Sequence, residues 1–245
     1  MNQEPTNARN RTGDPSARNF SRMFYPFLHE REATSLDDVL AGVRTSTLTK
    51  CADIVALRRK VRELHAEEMV RCAMALSEAL GKGHKLLAFG NGGSATDAQD
   101  VAVDATLLGF PALSLTNDMG VVTAVANDVG FENVFSRQII AFGKPGDVAF
   151  GISTSGNSRN IEMAFAMAHK MGLVTIGLAG YEGGKTAELH RLGIVDYCFV
   201  VPSDYIPRIQ EAHATIYHGL LELTRRILDD AEYFDPNQVL SPQSN

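Results

Sequence analysis

From residue 86 onward, short and almost continuously apolar runs alternate with segments whose apolar residues return every three or four positions. The runs are 86–89, 111–115, 148–152, 174–178 and 197–201. Their length and lack of polar alternation predict parallel strands covered on both faces. The segments near 94–108, 118–127, 132–142, 158–171 and 185–191 predict the helices between them. Strand–helix alternation of this kind predicts an α/β fold, a doubly wound parallel sheet of five strands. A last helix is expected over about 207–230, with Pro207 in its first turn, where a missing N–H costs nothing.

Before residue 85 the pattern is different. Residues 1–20 are rich in Asn, Arg, Pro, Ser and Gly and nearly free of apolar side chains, which predicts a disordered tail. Met23, Phe24, Tyr25, Phe27 and Leu28 form an apolar cluster that docks most simply on the protein's own core. Ser35 reads as a helix N-cap, with Asp37 and Asp38 in the first turn. Helical spacing runs on from Leu36, with a break expected at 45–49. A second stretch carries Val55, Leu57, Val61, Leu64, Met69, Met74, Leu76 and Leu80 and stops at Gly81. That stripe needs a partner, either the sheet of the same chain or another subunit. The expected organisation is a tail over 1–20, N-terminal helices over 21–83, the α/β domain over 84–230 and a polar tail over 231–245.

Composition narrows the function classes. Apolar residues are 44% and charged residues 21% of the chain, as in ordinary globular proteins. A net charge of -6 argues against a nucleic-acid partner. No run is long and apolar enough to span a bilayer, and the polar start lacks the pattern of a secretory signal, so no membrane partner and a cytoplasmic location are expected. Cys51, Cys72 and Cys198 are odd in number and lack CxxC spacing, which predicts buried thiols in a reducing compartment.

Two hydroxyl-rich loops carry the chemistry: Gly90-Asn91-Gly92-Gly93-Ser94 and Ser153-Thr154-Ser155-Gly156-Asn157-Ser158. Each follows an expected strand and precedes an expected helix. Glycine lets a ligand approach the backbone, hydroxyls donate hydrogen bonds, and a helix N-terminus offers free N–H groups to an anion. Two such loops at strand carboxyl ends suit a phosphorylated sugar. The first loop lacks the GK[ST] of a Walker A motif and the spacing of GxGxxG, so no nucleotide cofactor is expected.

The pieces FGNGGSATDAQD, NDVGFENVFSRQ, KPGDVAFGISTSGNSRNIEMA and PRIQEAHATIYHGLLEL resemble sugar isomerase (SIS) domains of the phosphoheptose isomerase type. The resemblance covers roughly 36–230. It implies a flavodoxin-like SIS fold with an N-terminal helical extension. It also implies a homotetramer with sites between subunits, and isomerisation of sedoheptulose 7-phosphate to a heptose 7-phosphate. By the same resemblance Ser153, Thr154, Ser155 and Ser158 bind the phosphate, and Asn91, Gly92, Gly93 and Ser94 form the first-loop contacts. Asp118 faces the sugar, Gln210 binds substrate, and His218 is the general acid.

At two positions the chain departs from that pattern. The family's basic glutamate is Asp104 here, and its metal-ligating histidine is Asp100. Asp100 and Asp104 are four apart, so a helix places them on one face, either as a carboxylate pair at the ligand mouth or, with Asp97, as a solvated face. A shorter base in Asp104 puts the reach of the proton transfer in question. The metal set implied by the resemblance becomes Asp100, Asp104, Gln210 and His218. It is harder and less nitrogen-rich than a typical zinc set, so a weakened zinc site is expected. The alternative is a non-catalytic regulator, either binding a replication initiator or sensing a sugar phosphate.

Overall fold

The structure, a computed structural model, describes residues 35–230. The clusters and tails expected in 1–34 and 231–245 lie outside them. The chain divides after Ala52 into two compact units.

Helix α1 runs Leu36–Gly81. Ser35 caps it as expected: its Oγ accepts from Asp38 N at 3.2 Å and donates to Asp38 Oδ2 at 2.8 Å. The break expected at 45–49 is absent, because the threonines there are tolerated inside a helix at a cost of only a few tenths of a kcal/mol each. Leu36, Val39, Leu40, Val43 and Leu48 are exposed.

Beyond Ala52 the order is β1 (Leu86–Gly90), α2 (Gly93–Leu107), β2 (Ala112–Ser114), α3 (Met119–Val129), a 3-10 turn (Phe131–Asn133), α4 (Val134–Phe142), β3 (Val148–Ser153), α5 (Arg159–Lys170), β4 (Val174–Gly180), α6 (Gly184–Arg191), β5 (Tyr197–Val201) and α7 (Ile206–Asp229). The five strands are parallel in the order β2-β1-β3-β4-β5, the flavodoxin-like arrangement.

Side-chain alternation along the strands feeds two cores. Leu86, Ala88, Val148, Phe150 and Ile152 face α1, α2 and α7, packing against Leu76, Val101 and Ile216. Leu87, Phe89 and Ala149 face the other way, against Phe135, Ile161 and Phe165. Burial of each of the larger of these side chains contributes about 1.5–3 kcal/mol. The expected stripe of α1 splits: Val61, Leu76 and Leu80 are buried in the first core, whereas Val55 and Leu64 are exposed. By this packing the C-terminal half of α1 belongs to the same compact unit as the sheet.

Strand β5 is a sheet edge whose outward polar groups need partners. Glu68 of α1 accepts from Cys198 N at 3.2 Å, and His65 Nε2 donates to Val200 O at 2.9 Å. Two side chains of α1 thereby close the edge. Cys72 and Cys198 are buried thiols, but Cys51 is exposed, a correction to the expectation that all three are buried. Among the described residues no helix is long and apolar enough to cross a membrane.

Candidate active site

Strands β1 and β3 are neighbours at the centre of the sheet, and the helices that follow them go to opposite faces. A crevice opens at the carboxyl ends of such a pair, and both hydroxyl-rich loops lie there.

In the second loop Ser153 is buried, and its Oγ accepts from Gly156 N at 3.2 Å and meets Ser158 Oγ at 3.2 Å. Ser155 Oγ accepts from Asn157 N at 3.2 Å. Gly156 makes the turn at φ 67, where a Cβ would lie 2.1 Å from Gly183 O. Ser158 is the N-cap of α5 but its side chain makes no capping bond, so the first N–H groups of α5 remain available to an anion.

The first loop is tied to the first turn of α5, just after the second loop, by two hydrogen bonds. Asn91 Nδ2 donates to Asn160 Oδ1 at 2.8 Å, and Asn160 Nδ2 donates to Asn91 Oδ1 at 2.9 Å. Ser94 is buried beneath the loop. Gly92 takes φ 57 as the N-cap of α2. Gly93 lies under the Gln210 amide: a Cβ there would be 1.9 Å from Gln210 Nε2. Asn91, Ser158 and Asn160 line a cavity of about 620 Å³ with Phe131, Glu132 and Arg159.

Helices α2 and α7 bring together the remaining chemistry. His218 Nε2 is 3.2 Å from Asp104 Oδ2 and 3.4 Å from Asp100 Oδ2. The ligand atoms of Asp100, Asp104 and His218 all lie within 4.8 Å of one another. Asp104 and His218 open onto a second cavity of about 490 Å³, lined further by Leu107, Leu221 and Arg225.

Residues 51–180 match the SIS domain family. The chain belongs to that family, in its phosphoheptose isomerase branch. The phosphoheptose isomerase of Geotalea daltonii is 49% identical over 159 residues, covering 62% of this chain and 80% of the relative. That of Aquifex aeolicus is 45% identical over 174 residues, covering 68% and 87%. Among solved structures, the phosphoheptose isomerase of Neisseria gonorrhoeae superposes with a TM-score of 0.71 at 36% identity, covering 75% of this chain and 99% of its own. The one from Francisella tularensis gives 0.68 at 31% identity, covering 79% and 100%.

Within the SIS domain, Asp118 is the N-cap of α3, its Oδ1 accepting from Val121 N at 3.0 Å. His213 of the RIQExH stretch is a core residue. It is fully buried and bonded through Nε2 to Ala179 O at 3.0 Å, and burial pushes its pKa down to about 4. The solvated-face reading of α2 fails at Asp97, whose Oδ2 is sealed from solvent without a partner. Burial, and then the charge of Asp100, push the Asp97 pKa up to about 6.

Two residues at the site escaped the sequence reading. Asn160 follows the serine loop and pairs with Asn91 across 69 positions. Tyr217 precedes His218 and donates its phenolic proton to Asp100 Oδ2 at 2.7 Å, across 117 positions. Burial, and then Asp100, push the Tyr217 pKa well up, so the phenol stays a donor. The only local signal for Tyr217 was its place beside His218.

Proposed function

We propose that this chain is an aldose–ketose isomerase that converts sedoheptulose 7-phosphate to D-glycero-D-manno-heptose 7-phosphate through an enediol. The observation that carries the reading is the contact between His218 and Asp104 at 3.2 Å, in a chain whose relatives are phosphoheptose isomerases. A carboxylate base and an imidazole acid within hydrogen-bond reach are what the reaction requires.

In this mechanism the phosphate sits on Ser153, Thr154, Ser155 and Ser158 at the N-terminus of α5, and that binding positions the reactive end. Asn91, Gly92, Gly93 and Ser94 shape the wall next to it, with Asp118 and Gln210 facing the sugar. Asp104 takes a proton from C1 while His218 gives one to the C2 carbonyl oxygen, and the 1,2-enediol forms. Asp104 then returns a proton to C2, His218 takes the proton of the C1 hydroxyl, and C1 becomes the aldehyde. The protons balance, and both residues end as they began.

The three clustered donors fit a divalent cation, since two carboxylates and one imidazole are ligands that zinc accepts. Asp100, Asp104 and His218 would hold it, with Gln210 as a fourth ligand. When bound, zinc supplies Lewis-acid polarisation of the substrate oxygens. The reading also includes a homotetramer with sites between subunits, and a cytoplasmic location. Two observations support shared sites: the serine loop and the Asp104–His218 pair line separate cavities of one subunit, and α1 carries exposed apolar residues.

The Asp104–His218 contact favours an enzyme over a non-catalytic regulator. The test is proton NMR of sedoheptulose 7-phosphate in heavy water, with and without zinc. Loss of the C1 proton signal, abolished by Asp104→Asn and by His218→Ala, supports the reading. A protein that binds the sugar phosphate but exchanges no proton refutes it.

A further inference from the structure

We infer that Tyr217 is a positioning residue of the proton-transfer site, acting through Asp100 on His218; this rests on the isomerase reading. Tyr217 is 2% exposed, so its ring has a fixed place against the core. Its hydroxyl donates to Asp100 Oδ2 at 2.7 Å. Its ring meets the His218 imidazole edge to face, with centroids 4.5 Å apart and planes at 66°. One buried side chain therefore touches both an exposed carboxylate and an exposed imidazole.

The arrangement answers a problem set by α2. Asp100 and Asp104 stand one turn apart, and like charges at that spacing repel. Both also approach the same nitrogen: His218 Nε2 is 3.4 Å from Asp100 and 3.2 Å from Asp104. One ring nitrogen carries one proton, so two competing carboxylates divide the acid between two acceptors. The phenol resolves the competition. It donates to the same Asp100 oxygen that faces His218, and an oxygen already accepting a strong hydrogen bond is a weaker acceptor for the imidazole. Asp104 is left as the partner of His218, at the shorter distance. The ring contact adds the second constraint, holding the imidazole plane toward α2. Without the hydroxyl, Asp100 is free to rotate and to take His218 away from Asp104.

The test is a double-mutant cycle on the full chain with Tyr217→Phe and Asp100→Asn, read as the kcat and KM of C1 proton exchange in sedoheptulose 7-phosphate. Tyr217→Phe keeps the ring and its burial, and circular dichroism confirms the fold. The expected result is a fall in kcat of about tenfold to a hundredfold with KM changed less than twofold, the pattern of a misplaced reacting group. In the Asp100→Asn background the same change moves kcat less than twofold, because a residue acting through Asp100 has nothing left to act on. Equal losses in both backgrounds overturn the inference, as does an unchanged kcat. Should Tyr217→Phe fail to fold, nitrogen-15 NMR of the His218 imidazole in Asp100→Asn decides: a ring signature unchanged from wild type supports the inference, because the phenol has already taken Asp100 out of the competition, and a changed one, showing that Asp100 shares the imidazole in wild type, overturns it. Wild-type protein that exchanges no proton sinks the isomerase reading and this inference with it, whereas active wild type with an indifferent Tyr217→Phe sinks this inference alone.

Discussion

Asn91 and Asn160 face each other as a reciprocal amide pair, each donating to the other's carbonyl at 2.8 and 2.9 Å. The pair joins the first turn after β1 to the first turn of α5, and so ties the two ligand loops together across the switch point. An amide is the one small group that can both give and accept in this geometry. Asn160→Asp keeps the shape and removes the donation to Asn91, while adding a negative charge beside the serine loop. The expected outcome is a KM for the sugar phosphate raised about tenfold or more, with a smaller change in kcat. Lowering the pH far enough to protonate the new carboxyl restores a donor and recovers affinity. Equilibrium binding of the sugar phosphate across pH checks this, and an affinity loss that ignores pH contradicts it.

The Asp104–His218 pair sets the chemical step. Removing a general acid or base typically costs about 10²–10⁴-fold in rate. Asp104→Asn and His218→Ala are each expected to fall by that order in kcat. Both sites are at least partly exposed, so the thermal midpoint should move little. The double variant should lose scarcely more than either single one, since the two act as a unit. Steady-state kinetics on the three variants decides it, and multiplicative losses contradict a shared step.

Gly93 is where the backbone makes room for Gln210. A Cβ would lie 1.9 Å from Nε2 and 2.9 Å from Cδ of that side chain. These atoms are the far end of a flexible chain, so the amide swings away and the fold survives. Gly93→Ala is therefore expected to leave the thermal midpoint within a few degrees of wild type and to impair substrate binding. A large loss of stability would mean that the collision is relieved by the backbone instead.

His213 makes stability depend on pH. Burial holds its pKa down to about 4 against the ordinary 6.5. Between those values the unfolded chain binds a proton that the folded chain refuses, so stability falls as pH drops from 6.5 toward 4. The loss attributable to this one group is roughly 3 kcal/mol. In His213→Gln an amide N–H can still reach Ala179 O, and nothing titrates. Urea midpoints measured from pH 7 to pH 4 should fall less steeply in the variant. Reading the difference between the two proteins removes the opposite contribution of Asp97, whose raised pKa stabilises the fold as pH falls. Parallel curves would contradict the assignment to His213.

The sequence by itself determined the sheet and its ligand loops. Runs such as 148–152 and 197–201 are apolar on both sides because parallel strands are covered on both faces, and that signal is local. The serine loop and the GNGGS turn were legible for the same reason, since their chemistry lies within six consecutive residues. Helical spacing alone puts Asp100 and Asp104 on one face. What that spacing left open was whether the face met solvent or a partner. Only the packing of α7 against α2 brought His218 to the two carboxylates and sealed one oxygen of Asp97. The roles of Tyr217 and Asn160 were likewise decided by tertiary structure, because their partners stand 117 and 69 residues away. The same holds for α1, where a single apolar stripe gave no sign of which residues would be buried. The first core took Val61, Leu76 and Leu80 and left Val55 and Leu64 outside, since one face of a helix can meet only one surface.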